Sequence, residues 1–160
     1  MSSWDSFFAA QVGASAALTG LLFVGISINM SKIIAVPALP PRAMKSLALL
    51  VTVLILSSVQ LIPGESDLDL GIVLLAVAIS ASYVVFRLSA TVFRLNPTEY
   101  RQVALYEFVL VAVVAVLFLA AAGTALVGGS ISNYLLVAGM LLAILIAILD
   151  SWVLLVEVNR

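Results

Sequence analysis

The chain is 160 residues long, 64% of them hydrophobic and 9% charged, whereas soluble domains carry roughly 45 to 50% apolar and about 25% charged residues. A soluble domain of this size buries only about 70% of its chain surface, so the apolar excess would face water and cause aggregation. This composition excludes an ordinary soluble domain and indicates a protein solvated by lipid. A net charge of -1 argues against a nucleic-acid partner.

Cysteine and histidine are both absent from the sequence. Their absence excludes disulfides, thiol catalysis, Cys/His zinc sites, His-ligated haem and imidazole acid/base chemistry. The two lysines, Lys32 and Lys45, fall at predicted helix ends, which excludes a mid-membrane Schiff base. No aspartyl dyad motif is found on two helices. We therefore expect no enzyme activity, no cofactor and no bound metal.

Five segments are long and apolar enough to cross a bilayer, which takes about 20 mainly apolar residues at about 1.5 Å per residue. The predicted spans cover residues 7–34, 42–62, 70–95, 100–127 and 131–156. Proline cannot continue a helix, and Pro41 suits the first turn of the second span. The sequence predicts an all-α bundle of five transmembrane helices, forming one transmembrane domain over residues 1–160.

The basic residues predict the orientation of this bundle, because cytoplasmic flanks collect lysine and arginine. All seven fall on one side of the arrangement: Lys32, Arg42, Lys45, Arg87, Arg94, Arg101 and Arg160. The opposite side receives an acidic loop with Glu65, Asp67 and Asp69. We therefore expect the N-terminus outside and the C-terminus inside, in a multi-pass protein of the bacterial inner membrane.

Three ionisable residues fall inside the predicted spans, namely Arg87, Glu107 and Asp150. Each lies roughly 12 to 14 Å from the predicted cytoplasmic end of its helix. A charge at a helix centre costs at least about 2.5 to 3.5 kcal/mol on insertion scales, so we expect the Arg87 guanidinium to pair with one or both carboxylates. Two interpretations stay open: an ion-pair lock that only sets helix order, or a site whose excess carboxylate binds or relays a cation or proton.

Polar residues at helical spacing predict stripes that surround a hydrated cleft open to the cytoplasm. The predicted ion or proton pathway consists of Asn29, Arg87, Glu107 and Asp150. Secondary polar residues predicted to line it are Ser15, Thr19, Tyr83, Thr91, Arg94 and Glu157.

Small residues recur at four-residue spacing in the first span, at Ala9, Gly13 and Ala17 and again at Ala16 and Gly20. This spacing permits close approach of two helices. We expect it to serve packing within the chain, with a homo-oligomer interface as the alternative.

The first span carries Trp4, Phe7 and Phe8, then the run Gly-Ala-Ser-Ala-Ala-Leu over 13–18, Gly-Leu-Leu-Phe-Val over 20–24 and Ser-Ile-Asn over 27–29. With Trp152, Glu157 and Arg160 near the end of the chain, it resembles the start and end of a group of small uncharacterised bacterial integral-membrane proteins. The resemblance covers mainly the first span and the end of the last. It implies a bacterial inner-membrane protein and no catalytic residue.

Two functions fit these features. The first is an oligomeric ion or proton channel or transporter, because five short-looped helices with an internal charge cluster offer little else and a homo-oligomer can build pore walls. The alternative is a non-catalytic accessory or regulatory subunit of a larger membrane complex. The expected partners are therefore the lipid bilayer, further copies of the chain and another membrane protein.

Overall fold

A computed structural model describes residues 3–63, 67–95 and 101–158. Within these ranges all the regular secondary structure is helical: α1 Ser3–Ile28, α2 Met30–Ala35, α3 Leu39–Val59, α4 Asp67–Leu95, α5 Arg101–Leu126 and α6 Ser132–Val158. Helix α2 has six residues, and the other five are long and apolar enough to cross a membrane. The expected helical fold with five candidate spans is confirmed, whereas membrane insertion and orientation stay predictions.

The first predicted span is wrong in one respect, because residues 7–34 do not form one helix. The backbone breaks at Asn29, which has φ −103° and ψ 13°. Its side-chain Nδ2 donates to the Gly25 carbonyl oxygen at 3.0 Å, and such local side-chain bonds compete with the helical backbone pattern. The chain therefore leaves α1 at Ile28 and starts the short α2 one residue after Asn29.

The second helix boundary also differs from the prediction, since α3 begins at Leu39 rather than at Arg42. Pro40 and Pro41 lie within its first turn, where a missing N–H costs no intrahelical hydrogen bond. The earlier start places Arg42 one turn inside the helix. The predicted acidic loop residue Glu65 and the C-terminal Arg160 lie outside the described residues.

Four helices form a ring in which α3 contacts α4, α4 contacts α5, α5 contacts α6 and α6 contacts α3. Across the described residues, the backbones of α3 and α5 do not approach each other, so these two helices lie on a diagonal. Helix α1 packs on the outside of the ring, mainly against α3. As a result, 56% of an 18-residue apolar stretch of α3 is buried, whereas only 17% of the corresponding stretch of α1 is buried.

The core is built from inward stripes of apolar side chains at helical spacing. It includes Leu49 and Val53 of α3, Leu74 and Ala78 of α4, Val111 and Phe118 of α5, and Met140 and Ala147 of α6. Large apolar side chains also cover the outer surface, among them Ile28, Val116 and Leu155 at 77%, 64% and 61% exposure. Hydrocarbon would solvate that surface, whereas water would leave large apolar patches unprotected.

Close contact at Gly139 sets the register between α5 and α6. A Cβ atom at this position would lie 2.7 and 2.8 Å from Cε1 and Cδ1 of the Phe118 ring. Eleven residues from this contact, back along α5 and forward along α6, lie Glu107 and Asp150. Because the helices are antiparallel with the same rise per residue, the two carboxylates reach the same level.

The small residues of α1 do not serve packing within the chain, contrary to expectation. Added Cβ atoms at Gly13 and Gly20 would meet nothing within 4 Å. Ala9, Ala16 and Ala17 are likewise exposed. The small-residue face of α1, defined by these five residues, points away from the bundle because α3 instead contacts the face that carries Phe8 and Ser15.

The Gly139 contact predicts a steric effect that a matched glycine lacks. Gly139→Ala should lower the free energy of unfolding by about 1–3 kcal/mol, because the methyl group enters the space of the Phe118 ring. Gly123 of α5 is exposed, with nothing within 4 Å of an added Cβ, so Gly123→Ala should leave stability unchanged or raise it through helix propensity. Thermal unfolding in one detergent checks both; equal melting temperatures would contradict the assigned register.

Candidate functional site

Four charged side chains from three helices meet inside the ring. Arg42 and Lys45 come from α3, Glu107 from α5 and Asp150 from α6. The Arg42 guanidinium holds Glu107 through two contacts, Nη1 to Oε1 and Nη2 to Oε2, both 3.2 Å. Lys45 Nζ lies 3.3 Å from Oε2 of Glu107 and 3.0 Å from Oδ2 of Asp150. We call these four residues the charge quartet.

The quartet is buried and carries no net charge. Side-chain exposure is 1% for Lys45, 3% for Asp150 and 8% for Arg42, against 21% for Glu107. A lone charge in such surroundings would cost several kcal/mol, and opposite charges at close range offset that cost. Because Glu107 is the most exposed member, it is where the surroundings reach the quartet.

Each acid contacts both cations, so the quartet is a closed set of four ion pairs. The fourth pair joins Arg42 Nη1 and Asp150 Oδ1 at 3.7 Å. The Lys45–Asp150 contact is ionic rather than an aligned hydrogen bond, since Oδ2 of Asp150 receives no hydrogen bond of acceptable geometry from the described residues. One oxygen of Asp150 therefore keeps hydrogen-bonding capacity beside the Lys45 ammonium.

Helix geometry explains why these residues meet. Arg42 and Lys45 are three residues apart and share one face of α3, in phase with the buried Leu49 and Val53 of the same helix. Their long side chains extend across the diagonal toward α5, which the α3 backbone does not touch. The Gly139 register brings Asp150 to the level of Glu107, so all four groups lie near one end of the bundle.

The predicted pairing of Arg87 with Glu107 or Asp150 is wrong. Its side chain is exposed, with Nη1 3.2 Å from the Tyr83 hydroxyl and the guanidinium carbon 5.8 Å from the centre of the same ring. The inward face of α4 carries Val85 and Ser89, each two residues away and hence about 200° around the helix. Arg87 does lie at about the same depth along the bundle as Glu107 and Asp150, as predicted. However, its side chain points to the outer face of α4, so it is not part of the quartet.

Sequence reasoning missed Arg42 and Lys45 because both were assigned to a cytoplasmic flank. Their three-residue spacing, in phase with the apolar stripe of α3, was the signal that could have placed them inside. The start of α3 at Leu39 adds the turn that carries Arg42 into the bundle.

The remaining predicted site residues do not join the quartet. Ser15 and Thr19 of α1 donate to their own helix, to the carbonyl oxygens of Gln11 and Ser15 at 2.7 Å each. Thr91 does the same to Arg87, and Arg94 is exposed. The Glu157 side chain lies outside the described residues. The predicted polar stripes, Asn29 and Arg87 therefore do not come together to line one cleft.

Two cavities of about 300 Å³ or more have no quartet residue in their walls. An apolar groove of about 340 Å³ runs between α1, α2 and α6, with Leu22, Ile33 and Leu154 in its wall. A second cavity of about 310 Å³ lies at the opposite end of the bundle and has polar walls that include Asp5 and Ser132. There Gln60 Nε2 donates to Oδ1 of Asn133 at 2.9 Å. We call this second cavity the polar vestibule.

Comparisons with protein-family models, curated proteins and solved structures find no match to this chain. The resemblance of the first span to small bacterial membrane proteins therefore stays a prediction. Among the described residues, no group of three or more acidic, histidine or cysteine side chains is arranged to hold a metal ion. The charge quartet is therefore the feature of this chain from which a function can be inferred.

The closed ion-pair arrangement predicts a compensating pair of substitutions. Lys45→Met should lower the free energy of unfolding by about 3–5 kcal/mol, because it leaves two buried carboxylates with one cation. Adding Asp150→Leu should restore much of that loss, since one carboxylate and Arg42 then balance. Arg87→Gln, on the outer face, serves as the control and should change little. Thermal unfolding checks the series; additive losses in the double variant would contradict the assigned pairing.

Proposed function

We propose that this chain is a multi-pass protein of the bacterial inner membrane and that the charge quartet relays protons, as part of a small oligomeric proton channel or transporter. The observation that carries the proposal is the 3.0 Å contact between buried Lys45 and buried Asp150, linked to the more exposed Glu107. Ionisable groups inside membrane spans are commonly part of ion or proton pathways. Three groups that can exchange protons lie within contact distance here.

In the proposed relay Lys45 releases and regains a proton, whereas Arg42 keeps its positive charge throughout. An arginine side chain stays protonated in proteins, so Arg42 positions both carboxylates. The Lys45 ammonium donates a hydrogen bond to Oε2 of Glu107 and lies 3.0 Å from Oδ2 of Asp150. Once an N–H of Lys45 turns toward Oδ2, Lys45 can give its proton to the Asp150 carboxylate, which leaves a neutral amine and a neutral carboxylic acid. That exchange replaces a buried ion pair by two uncharged groups, so no isolated charge is created in a low-dielectric site.

Charge balance favours a proton over a larger cation as the transported species. Both carboxylates already contact Arg42 and Lys45, so a metal cation would have to displace one of those basic groups. A proton can enter at Glu107 without displacing any heavy atom. Support for the competing lock function comes from the same contacts, which also hold α3, α5 and α6 together.

A conservative substitution separates relay from lock. Lys45→Arg keeps the positive charge and the pairing, but a guanidinium does not release its proton. In proteoliposomes with an imposed pH gradient, we expect Lys45→Arg and Asp150→Asn to reduce proton flux at least about 10-fold, a rate loss equal to about 1.4 kcal/mol. Arg87→Gln should keep wild-type flux because it lies outside the quartet.

Unfolding temperatures of the same preparations serve as the folding control. A folded Lys45→Arg variant with wild-type flux would contradict the relay. If liposomes that contain the wild-type protein pass no protons in either direction of the gradient, proton transport is contradicted and the lock function remains.

A second candidate function, an accessory subunit, is supported by the small-residue face of α1. Gly13 and Gly20 expose backbone with open space beside it, and such faces let membrane helices approach closely. The face lies on the helix least buried by the bundle. A second copy of this chain or a helix of a larger complex would fit it.

The small-residue face predicts which glycines control assembly. Gly13→Ile combined with Gly20→Ile should reduce the associated fraction several-fold, because the side chains block close backbone approach. Gly123→Ile on the outer face of α5 is the matched control. Mass measurement in mild detergent checks a homo-oligomer, and co-purification of a stoichiometric membrane protein checks an accessory subunit. A monomer with no partner, in the wild type, would contradict both.

A further inference from the structure

Two serines of α4, Ser82 and Ser89, lack the hydrogen bond that other hydroxyls of this helix make to their own backbone. Ser80 Oγ donates to the Ala76 carbonyl oxygen at 2.9 Å, and Thr91 Oγ1 donates to that of Arg87 at 2.9 Å. This back-bond is the usual arrangement for hydroxyls inside helices. The buried Oγ atoms of Ser82 and Ser89 make no hydrogen bond with the described residues. Buried polar atoms of this kind commonly bind ordered water.

Ser82 lines a small cavity between α3, α4 and α5. The cavity measures about 10 Å³, and the other hydroxyl in its wall belongs to Thr52 of α3. Thr52 Oγ1 donates to the Ala48 carbonyl oxygen at 2.7 Å, so the same oxygen has lone pairs left to accept a hydrogen bond. Space for one water molecule begins at about 10 Å³. Thr52 and Ser82 are the two polar side chains in a wall that is otherwise apolar, and two polar partners are the fewest that such a water takes.

Ser89 lies at the level of the charge quartet. Thr52 and Ser82 share one cavity, and α3 and α4 are antiparallel neighbours. Seven residues from that cavity, back along α3 and forward along α4, lie Lys45 and Ser89. Ser89 is buried, with 5% of its surface exposed. Helix α4, the ring helix without a charge in the quartet, thus contributes a hydroxyl at the same height.

We propose that Ser82 and Thr52 bind one internal water molecule, two helical turns from the quartet on the side of the polar vestibule. Ser82 donates its hydroxyl proton to this water, and the water donates to Oγ1 of Thr52. The site lies beyond Lys45 along the bundle axis, whereas Ser89 lies level with the quartet. Water binding here is independent of proton transport; only a role for this water in the relay rests on the proposed function.

The sign of a stability change tests the site. If Ser82 binds water, Ser82→Ala loses hydrogen bonds and should lower the melting temperature by about 2–4 °C. If the cavity is dry, the substitution removes an unsatisfied hydroxyl and should leave the melting temperature unchanged or raise it. Ser80→Ala, two residues away on the outer face of α4, is the matched control and should shift it by less than about 1 °C.

A double-mutant cycle tests whether the two hydroxyls share one ligand. Thr52→Val keeps the shape of the side chain and removes the acceptor. Because one water can be lost only once, Ser82→Ala and Thr52→Val together should cost clearly less than the sum of the single shifts. Additive shifts, or an unchanged or raised melting temperature with Ser82→Ala, would overturn the water site. Proton flux of the same variants reports on the relay separately, so unchanged flux with coupled melting temperatures would keep the water and remove its transport role.

Discussion

Mutual neutralisation of four buried charges is the interaction on which the interior of this bundle depends. Each of Arg42, Lys45, Glu107 and Asp150 would be costly alone, at several kcal/mol per desolvated ion. Together they form four ion pairs between 3.0 and 3.7 Å. The balance is two against two, so a change to one member alters the surroundings of the other three. That coupling makes the quartet suitable either as a lock or as a relay.

The quartet also joins two helices whose backbones do not approach each other within the described residues, α3 and α5. Neighbouring helices in the ring pack directly, whereas the backbones of α3 and α5 stay apart and the Arg42 and Lys45 side chains cross the diagonal to reach Glu107. Apolar contacts such as Phe118 on Gly139 set the register of neighbours, and this register brings the charges level. Packing and electrostatics therefore specify the same arrangement, which is the consistency expected of a sequence with one preferred fold.

The sequence predicted the helices better than the pairing inside them. Length and apolarity identify a span whatever its neighbours, and position along a helix correctly indicated that Glu107 and Asp150 lie at one depth. Arg87 shows the limit, because depth does not give direction around the axis, and only the apolar phase of α4 places it outside. The small-residue spacing of α1 was ambiguous for a related reason: it permits close approach but does not say on which side the neighbour lies.

The order of the charges along the chain has a consequence for biosynthesis. Arg42 is made before its partner Glu107, which lies 65 residues later, so α3 is complete before either acid has been added to the chain. Both cations lie within two turns of the start of α3, where long basic side chains can extend toward the lipid headgroups. Helix α5 then supplies Glu107 and α6 supplies Asp150, so the two cations are fully neutralised only once α6, which follows α5 in the chain, has been made.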